Sequence, residues 1–306
     1  MIYDIAWSRY RHAVQVFGGR KMYKVLSLIA LGVATPAAAA SQTVYDTSLY
    51  ALNVGASPAD PAYARTVDAG NGTVTYSTGA RVSAPSAFDT WQQSDVGGLG
   101  VVGITKDFAH DGNGSLVFGG TNAGSKADLV YYLSSPELLD SFGGASYDWY
   151  RSSVSGTASY LVPSLRILLT NNGQFGSLIF EPIYQGTVVT DDQWTHSDYN
   201  FQSQVWNSNG KLTNPTGNYT NSLFDWAIAN PNAVVVGFST GSGSGWSNNF
   251  AGAVDNISWR FGEVNTSSFN FEVAGVPEPT QWALMIGGFG VVGAISRRRR
   301  RAVAAA

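Results

Sequence analysis

The sequence predicts an all-β body, a sandwich or a barrel, and three observations carry that prediction. Short apolar segments, alternating or continuous, recur about a dozen times from Thr43 to Val273. Val, Ile, Tyr, Phe and Trp dominate them, residue types that suit a pleated, half-buried surface. Turn signals separate them, the clearest being Asn71-Gly72, Asn171-Asn172-Gly173 and Asn209-Gly210. Many short strands joined by polar turns read as a sandwich or barrel rather than as βαβ units.

In chain order the expected strands are 43–52, 73–82, 101–106, 115–118, 129–133, 145–151, 164–169, 177–183, 199–206, 233–239, 252–261 and 267–273. Two short helices are expected to plug the ends. Residues 135–139 have Ser135 as cap and Pro136 at the first helical position. Residues 221–229 begin at Asn221 and stop at Asn230-Pro231. Trp149, Trp226 and Trp259 have apolar neighbours and are expected in the core.

The two ends of the chain are different in kind. An apolar stretch, 25–34, follows Lys21 and Lys24 and precedes Ala38-Ala39-Ala40. That is the pattern of a secretory signal peptide over 1–40, cleaved after Ala40. It implies the Sec translocon and signal peptidase as partners. Trp7, Arg9, Arg11 and Arg20 would make an unusually long leading region, so Met22 is the expected true start. At the other end, Pro277-Glu278-Pro279 and Trp282 precede an apolar run to Ile295, then Ser296 and Arg297 to Arg301. Residues 282–296 form an expected short transmembrane helix, and 302–306 a tail. About fifteen helical residues rise roughly 22 Å, against a hydrocarbon core of about 30 Å. Snorkelling arginines and local thinning close that gap. Ala283, Gly287, Gly290 and Ala294 share one helical face, where another helix could approach.

Residues 277–301 resemble the PEP-CTERM sorting signal in its PEPxxWA variant. The match rests on Pro277, Glu278, Pro279, Trp282-Ala283, Gly288-Phe289-Gly290 and the run Arg297, Arg298, Arg299, Arg300, Arg301. The resemblance implies an exported protein of a Gram-negative bacterium. It implies recognition by an exosortase, an inner-membrane-anchored precursor, a cut near Pro-Glu-Pro, and a final place at the cell surface or in the extracellular matrix. The body carries a second resemblance. Trp91 with the stretch from His110 to Phe118, and the segment from Leu223 to Trp259, look like carbohydrate-binding-module jelly rolls and galactose-binding or laminin-G sandwiches. The expected fold is therefore an antiparallel jelly-roll-type β-sandwich over 41–262. Residues 41–85 supply its leading strands, and 263–276 form a linker or edge strand.

Composition narrows the function. The chain has no Cys. Within 41–276, eight Lys and Arg against nineteen Asp and Glu give 8 − 19 = −11. An acidic body excludes the basic footprint that nucleic acid requires. The body holds two histidines, His110 and His196, with no HxH or HExxH, so a zinc hydrolase is not expected. No GxSxG is present for a serine nucleophile, and Glu is scarce for a glycosidase pair. The body reads as non-enzymatic.

Sugar binding asks for exposed aromatics among amide and carboxyl groups. Trp246, in a Gly/Ser/Asn loop that includes Asn248, is the first candidate, followed by Trp194 and Trp206. The competing role for Trp246 is packing over the sheet end. Asp255, in Val254-Asp255-Asn256, matches the position at which the resembling modules often hold a structural calcium, with Asp107 or Asp111 as companions. Its competing roles are a turn cap or a partner for Arg260. Three functions follow from these readings. The first is a non-enzymatic envelope or matrix protein associated with exopolysaccharide or biofilm. The second is a secreted glycan-binding module, and the third a polysaccharide hydrolase.

Overall fold

The computed structural model describes residues 41–49, 59–82, 86–208, 211–215, 219–243, 245–246, 248–262 and 265–275. In chain order the strands are β1 (Gln42–Tyr45), β2 (Ala64–Asp68), β3 (Gly72–Ser77), β4 (Trp91–Gly97), β5 (Val101–Thr105), β6 (Ser115–Gly120), β7 (Lys126–Leu138) and β8 (Phe142–Arg151). They continue as β9 (Ser164–Asn171), β10 (Gln174–Phe180), β11 (Trp194–Tyr199), β12 (Gln204–Asn207), β13 (Asn221–Ser222), β14 (Val234–Ser242), β15 (Phe250–Phe261) and β16 (Asn265–Glu272). One α-helix, α1 (Leu223–Ala229), follows β13.

Two sheets form a sandwich around one core. Sheet A has nine strands, ordered β1-β16-β15-β6-β5-β3-β2, with β8 beside β15 and β11 beside β8. Sheet B has seven, ordered β13-β12-β10-β9-β14-β7-β4. The pairings between these strands are antiparallel except β1 with β16, which is parallel, and an isolated parallel bridge joins Phe88 to Tyr132. The hub of sheet A is β15. It pairs with β8 along one side, while β6 takes its first half and β16 its second half on the other. The change of neighbour falls at a bulge between Asp255 and Ser258, where Asn256 has φ of 49°. A bulge bends a strand and re-aims its side chains, and here it gathers a charged cluster.

Alternation along each strand builds the core. Trp91, Tyr131, Trp259 and Phe269 meet edge-on or tilted, at centroid distances of 4.9–5.9 Å. Phe238 of sheet B stacks on Trp259 of sheet A at 4.1 Å. Trp149, Trp226 and Trp259 are buried as their neighbours predicted. The Asn-Asn-Gly signal becomes the β9–β10 hairpin, with Asn172 at φ 51° and Gly173 at 77°. Both central residues of such a two-residue turn need positive φ.

Several expected elements change. No helix forms over 135–139. There β7 runs on to Leu138, which pairs with Val234, and a 3-10 turn follows over Leu139–Ser141. Pro136 falls in the register shift between the pairs Glu137–Val235 and Tyr132–Gly237, where a missing N–H breaks no ladder bond. The second helix forms, but Ser222 rather than Asn221 caps it, in a reciprocal box with Asp225. The expected strand 199–206 is two strands, β11 in sheet A and β12 in sheet B, parted by a turn at Asn200–Ser203. Strands β2, β4, β13 and all of β11 before Tyr199 were not expected. The 263–276 stretch contains β16, which is hydrogen-bonded on both sides and is neither linker nor edge. The signal peptide, the sorting motif and the helix over 282–296 lie outside the described residues. Among those described, no helix is long and apolar enough to cross a membrane.

Candidate functional site

A groove of about 670 Å³ runs across the outer face of sheet B. Its floor follows from strand alternation. On β7, Ala127, Leu129 and Tyr131 fill the core, so Asp128, Val130 and Tyr132 face the groove. On β9, Leu165, Ile167 and Leu169 point inward, leaving Ser164, Arg166 and Leu168 outside. A ladder of charges crosses this floor. Arg166 Nη1 lies 2.6 Å from Asp128 Oδ1, and Lys126 Nζ lies 3.1 Å from Asp128 Oδ2. Lys126 also pairs with Asp95, and Arg81 Nε reaches Asp95 at 3.1 Å. A side chain at Gly241 would collide with the Asp128 carboxylate and the Ala127 carbonyl, so the ladder needs glycine there.

Aromatic side chains flank the floor. Trp206, on β12, donates from Nε1 to Glu181 Oε2 at 2.9 Å and stacks on Tyr219 at 5.5 Å. Burial pushes the Glu181 carboxyl above its ordinary value, against the opposing pull of the Trp206 hydrogen bond and Arg166. Trp246 lines the groove from the loop after β14. It is half-buried, packs on the edge of the core and meets Phe250 edge-on at 4.6 Å. The ring thus both packs on the core and faces the groove. Strand spacing of about 4.8 Å puts β12 and β14 about 14 Å apart, so the groove is elongated across the sheet.

The other expected sugar ligands lie elsewhere. Asn248 is not part of the groove lining; its amide donates to the Gly156 carbonyl at 3.1 Å. Trp194 stands on β11, on the outer face of sheet A, stacked on His110 at 4.3 Å.

That second face gathers residues far apart in sequence. Asp148 of β8 accepts from both histidines of the body, His110 Nε2 to Oδ2 at 2.9 Å and His196 Nδ1 to Oδ1 at 2.6 Å. Asn256, in the β15 bulge, donates to Asp148 Oδ2 and to Asp111 Oδ2 at 2.8 and 2.7 Å. Burial lowers the His196 pKa, but its bonds to Asp148 and Asp198 outweigh this and raise it. Sequence reading treated the two histidines as isolated because 86 residues separate them. The signal it lacked is register, which sets His196 directly opposite Asp148.

Asp255 is fully buried beneath this cluster and pairs in register with Asp148. Its Oδ1 accepts from the Asn256 and Phe271 backbone N–H groups, while Oδ2 has no partner. Burial, with Glu272 and Asp148 nearby, pushes its pKa up to about 8 despite those N–H bonds. It caps a local turn and does not pair with Arg260, which donates to the Gly143 carbonyl. Of the two carboxylate companions expected for Asp255, one is engaged elsewhere. Asp107 is bonded to Asn71 and Thr105 instead. Asp111 does arrive, but beside an imidazole, whereas calcium takes six to eight oxygens.

No protein-family model and no curated protein matches the chain. Among solved structures it is similar to the family 11 carbohydrate-binding module from Clostridium thermocellum in complex with a β-1,3-1,4-mixed-linked tetrasaccharide. That likeness has 14% identity and a TM-score of 0.35, over 61% of this chain and 96% of that one. It is also similar to the family 11 module of a cellulosomal cellulase of Clostridium thermocellum, at 11% identity and a TM-score of 0.34, over 64% and 96% of the two chains. A likeness at this level assigns neither ligand nor residue roles.

Proposed function

We propose that this chain is an exported, non-enzymatic module that binds a neutral polysaccharide in the sheet B groove. The observation that supports this reading is the groove itself, in which Trp206 and Trp246 flank a floor of hydrogen-bonding charges. A ring can stack on a sugar face while fixed polar groups sort its hydroxyls. The charges favour a neutral ligand, since Arg81, Lys126 and Arg166 match Asp95, Asp128 and Glu181, 3 − 3 = 0. An exported binder of this kind fits a role in an exopolysaccharide matrix. Its destination rests on the sequence of its ends: a signal peptide for export, then sorting by an exosortase at Pro277-Glu278-Pro279 and Trp282.

The test is titration calorimetry of the purified chain against soluble neutral glucans, mannans and galactans, with a uronic-acid polymer alongside. Binding of a neutral polymer that Trp206→Ala and Trp246→Ala both abolish supports the reading. Binding of the uronate alone, binding untouched by both variants, or release of new reducing ends would overturn it. For the tail, Trp282→Ala should leave a full-length, membrane-retained precursor in the native host; normal maturation would refute the sorting role.

A further inference from the structure

The donors gathered on sheet A are of mixed type, nitrogen with oxygen, and they lie on the face opposite the groove. We propose that His110, Asp111 and Asp148 bind a divalent ion of the zinc class there, with His196 and Asn256 orienting the carboxylates.

Spacing is the first argument. His110 Nε2 lies 2.9 Å from Asp148 Oδ2 and 3.8 Å from Asp111 Oδ2. A tetrahedral ion with bonds of 2.0–2.1 Å holds its ligand atoms about 3.3–3.4 Å apart, which lies between those distances. The three ligand atoms all fall within 4.8 Å of one another.

Support around the ligands is the second argument. The His110 ring lies nearly parallel to Trp194, 15° between planes, which fixes its orientation. His196 Nδ1 holds the other oxygen of Asp148, and one Asn256 amide bonds both carboxylates. Such outer partners set ligand direction in metal sites. The 110–114 loop is pressed on β16, where Asn113 N–H donates to Glu272 Oε2 at 2.6 Å. Asp111 is largely exposed, so an ion can enter from solvent.

An independent observation is the buried Asp255. It sits opposite Asp148 across the β8–β15 pair, fully buried, with Oδ2 unpartnered. Buried carboxylates are normally paired, hydrogen-bonded or next to a cation. Among the described residues, the basic side chains that pair with Asp111 and Asp148 are histidines alone. Asp255 is hydrogen-bonded through Oδ1 alone, and a divalent ion held by Asp148 would set a positive charge on the strand pair that carries its free Oδ2. The imidazole selects it, since imidazole suits zinc, copper and nickel while calcium and magnesium take oxygen.

The test uses the untagged full chain, stripped with chelator. Zn²⁺ is titrated by calorimetry, Co²⁺ by its visible absorption, and Ca²⁺ in parallel. We expect saturation at one Zn²⁺ per chain and a Co²⁺ band that Zn²⁺ removes. His110→Gln and Asp148→Asn should each abolish saturable binding without changing the metal-free circular dichroism. His196→Gln should weaken binding about 10- to 100-fold, as outer-partner losses do. Three results would each overturn the site: no saturable Zn²⁺ or Co²⁺ binding to the parent chain, affinity unchanged in His110→Gln, or tight Ca²⁺ binding that Zn²⁺ fails to displace. Should Asp148→Asn unfold the chain, His110→Gln and His196→Gln still decide the matter.

Discussion

The two outer faces of the sandwich handle charge in opposite ways. On sheet B every carboxylate of the ladder has cations beside it: Asp95 takes Arg81 and Lys126, and Asp128 takes Lys126 and Arg166. On sheet A, Asp148 faces Asp255 in register, and histidines are the basic partners of Asp148 and Asp111. A net charge spread evenly would tell little about ligands. Spread this way, it leaves the sheet B ladder self-neutralised and the Asp111–Asp148 cluster on sheet A with histidines alone as basic partners.

Breaking the ladder should have the largest effect. Arg166→Met leaves Asp128 with one cation in a buried setting, at a cost of about 3–5 kcal/mol, as for one half of a buried pair. Urea unfolding measures it, and a loss within experimental scatter would show that Lys126 alone suffices. Trp246→Ala should cost about 2 kcal/mol, between the values for surface positions and for a fully buried Trp. The same variant should lose glycan binding; loss of only one of the two properties would separate platform from packing.

Removing an anion from sheet A should act in the other direction. The folded pKa of Asp255 is raised to about 8 from an ordinary 3.8. Its folded form therefore holds its proton more tightly than the unfolded chain does. Stability from this group is full below the ordinary value and is lost as pH rises toward and past 8. Asp255→Asn should flatten that decline and, in metal-free buffer above pH 8, be the more stable chain by about 1–2 kcal/mol. Parallel melting curves at every pH would contradict this. The smallest effect concerns Glu181, whose pKa is also raised above its ordinary 4.5. By the same sign, its contribution weakens as pH rises from there to neutrality. Glu181→Gln should have a slightly flatter profile of melting temperature with pH, and a steeper one would mean the shift has the wrong direction.

What the sequence made legible follows from where apolar groups fall. The core tryptophans, the Asn172-Gly173 hairpin and most strands of the interior came from periodicity and turn chemistry, which act locally. Among the strands that escaped notice, β4 and β11 each carry part of a face. In β4, Gln92 and Gln93 are buried polar residues, and Gln92 is satisfied by the Ala87 backbone on both its amide atoms. Strand β11, Trp194 to Tyr199, places Trp194, His196 and Asp198 outward and has no apolar alternation to show. Polar segments of this kind show no apolar alternation, so a reading tuned to hydrophobic period passes over them. Trp206 and Trp246 are legible as candidates because aromatic rings in polar settings announce themselves. That they share a groove, and that Trp194 does not, depends on which sheet each strand joins.

The parallel pair of β1 and β16 has a mechanical consequence. Gln42 to Tyr45 lie alongside Phe269 to Glu272, and β15 holds the other side of β16. Beyond the strand, Asp46 Oδ1 accepts from the Ala274 N–H at 2.8 Å, while its Oδ2 takes the Thr73 hydroxyl. Any tether attached after Gly275 pulls along the axis of a strand that is laced on both edges. The load then falls on many ladder hydrogen bonds at once, in shear, instead of opening them one after another like a zip.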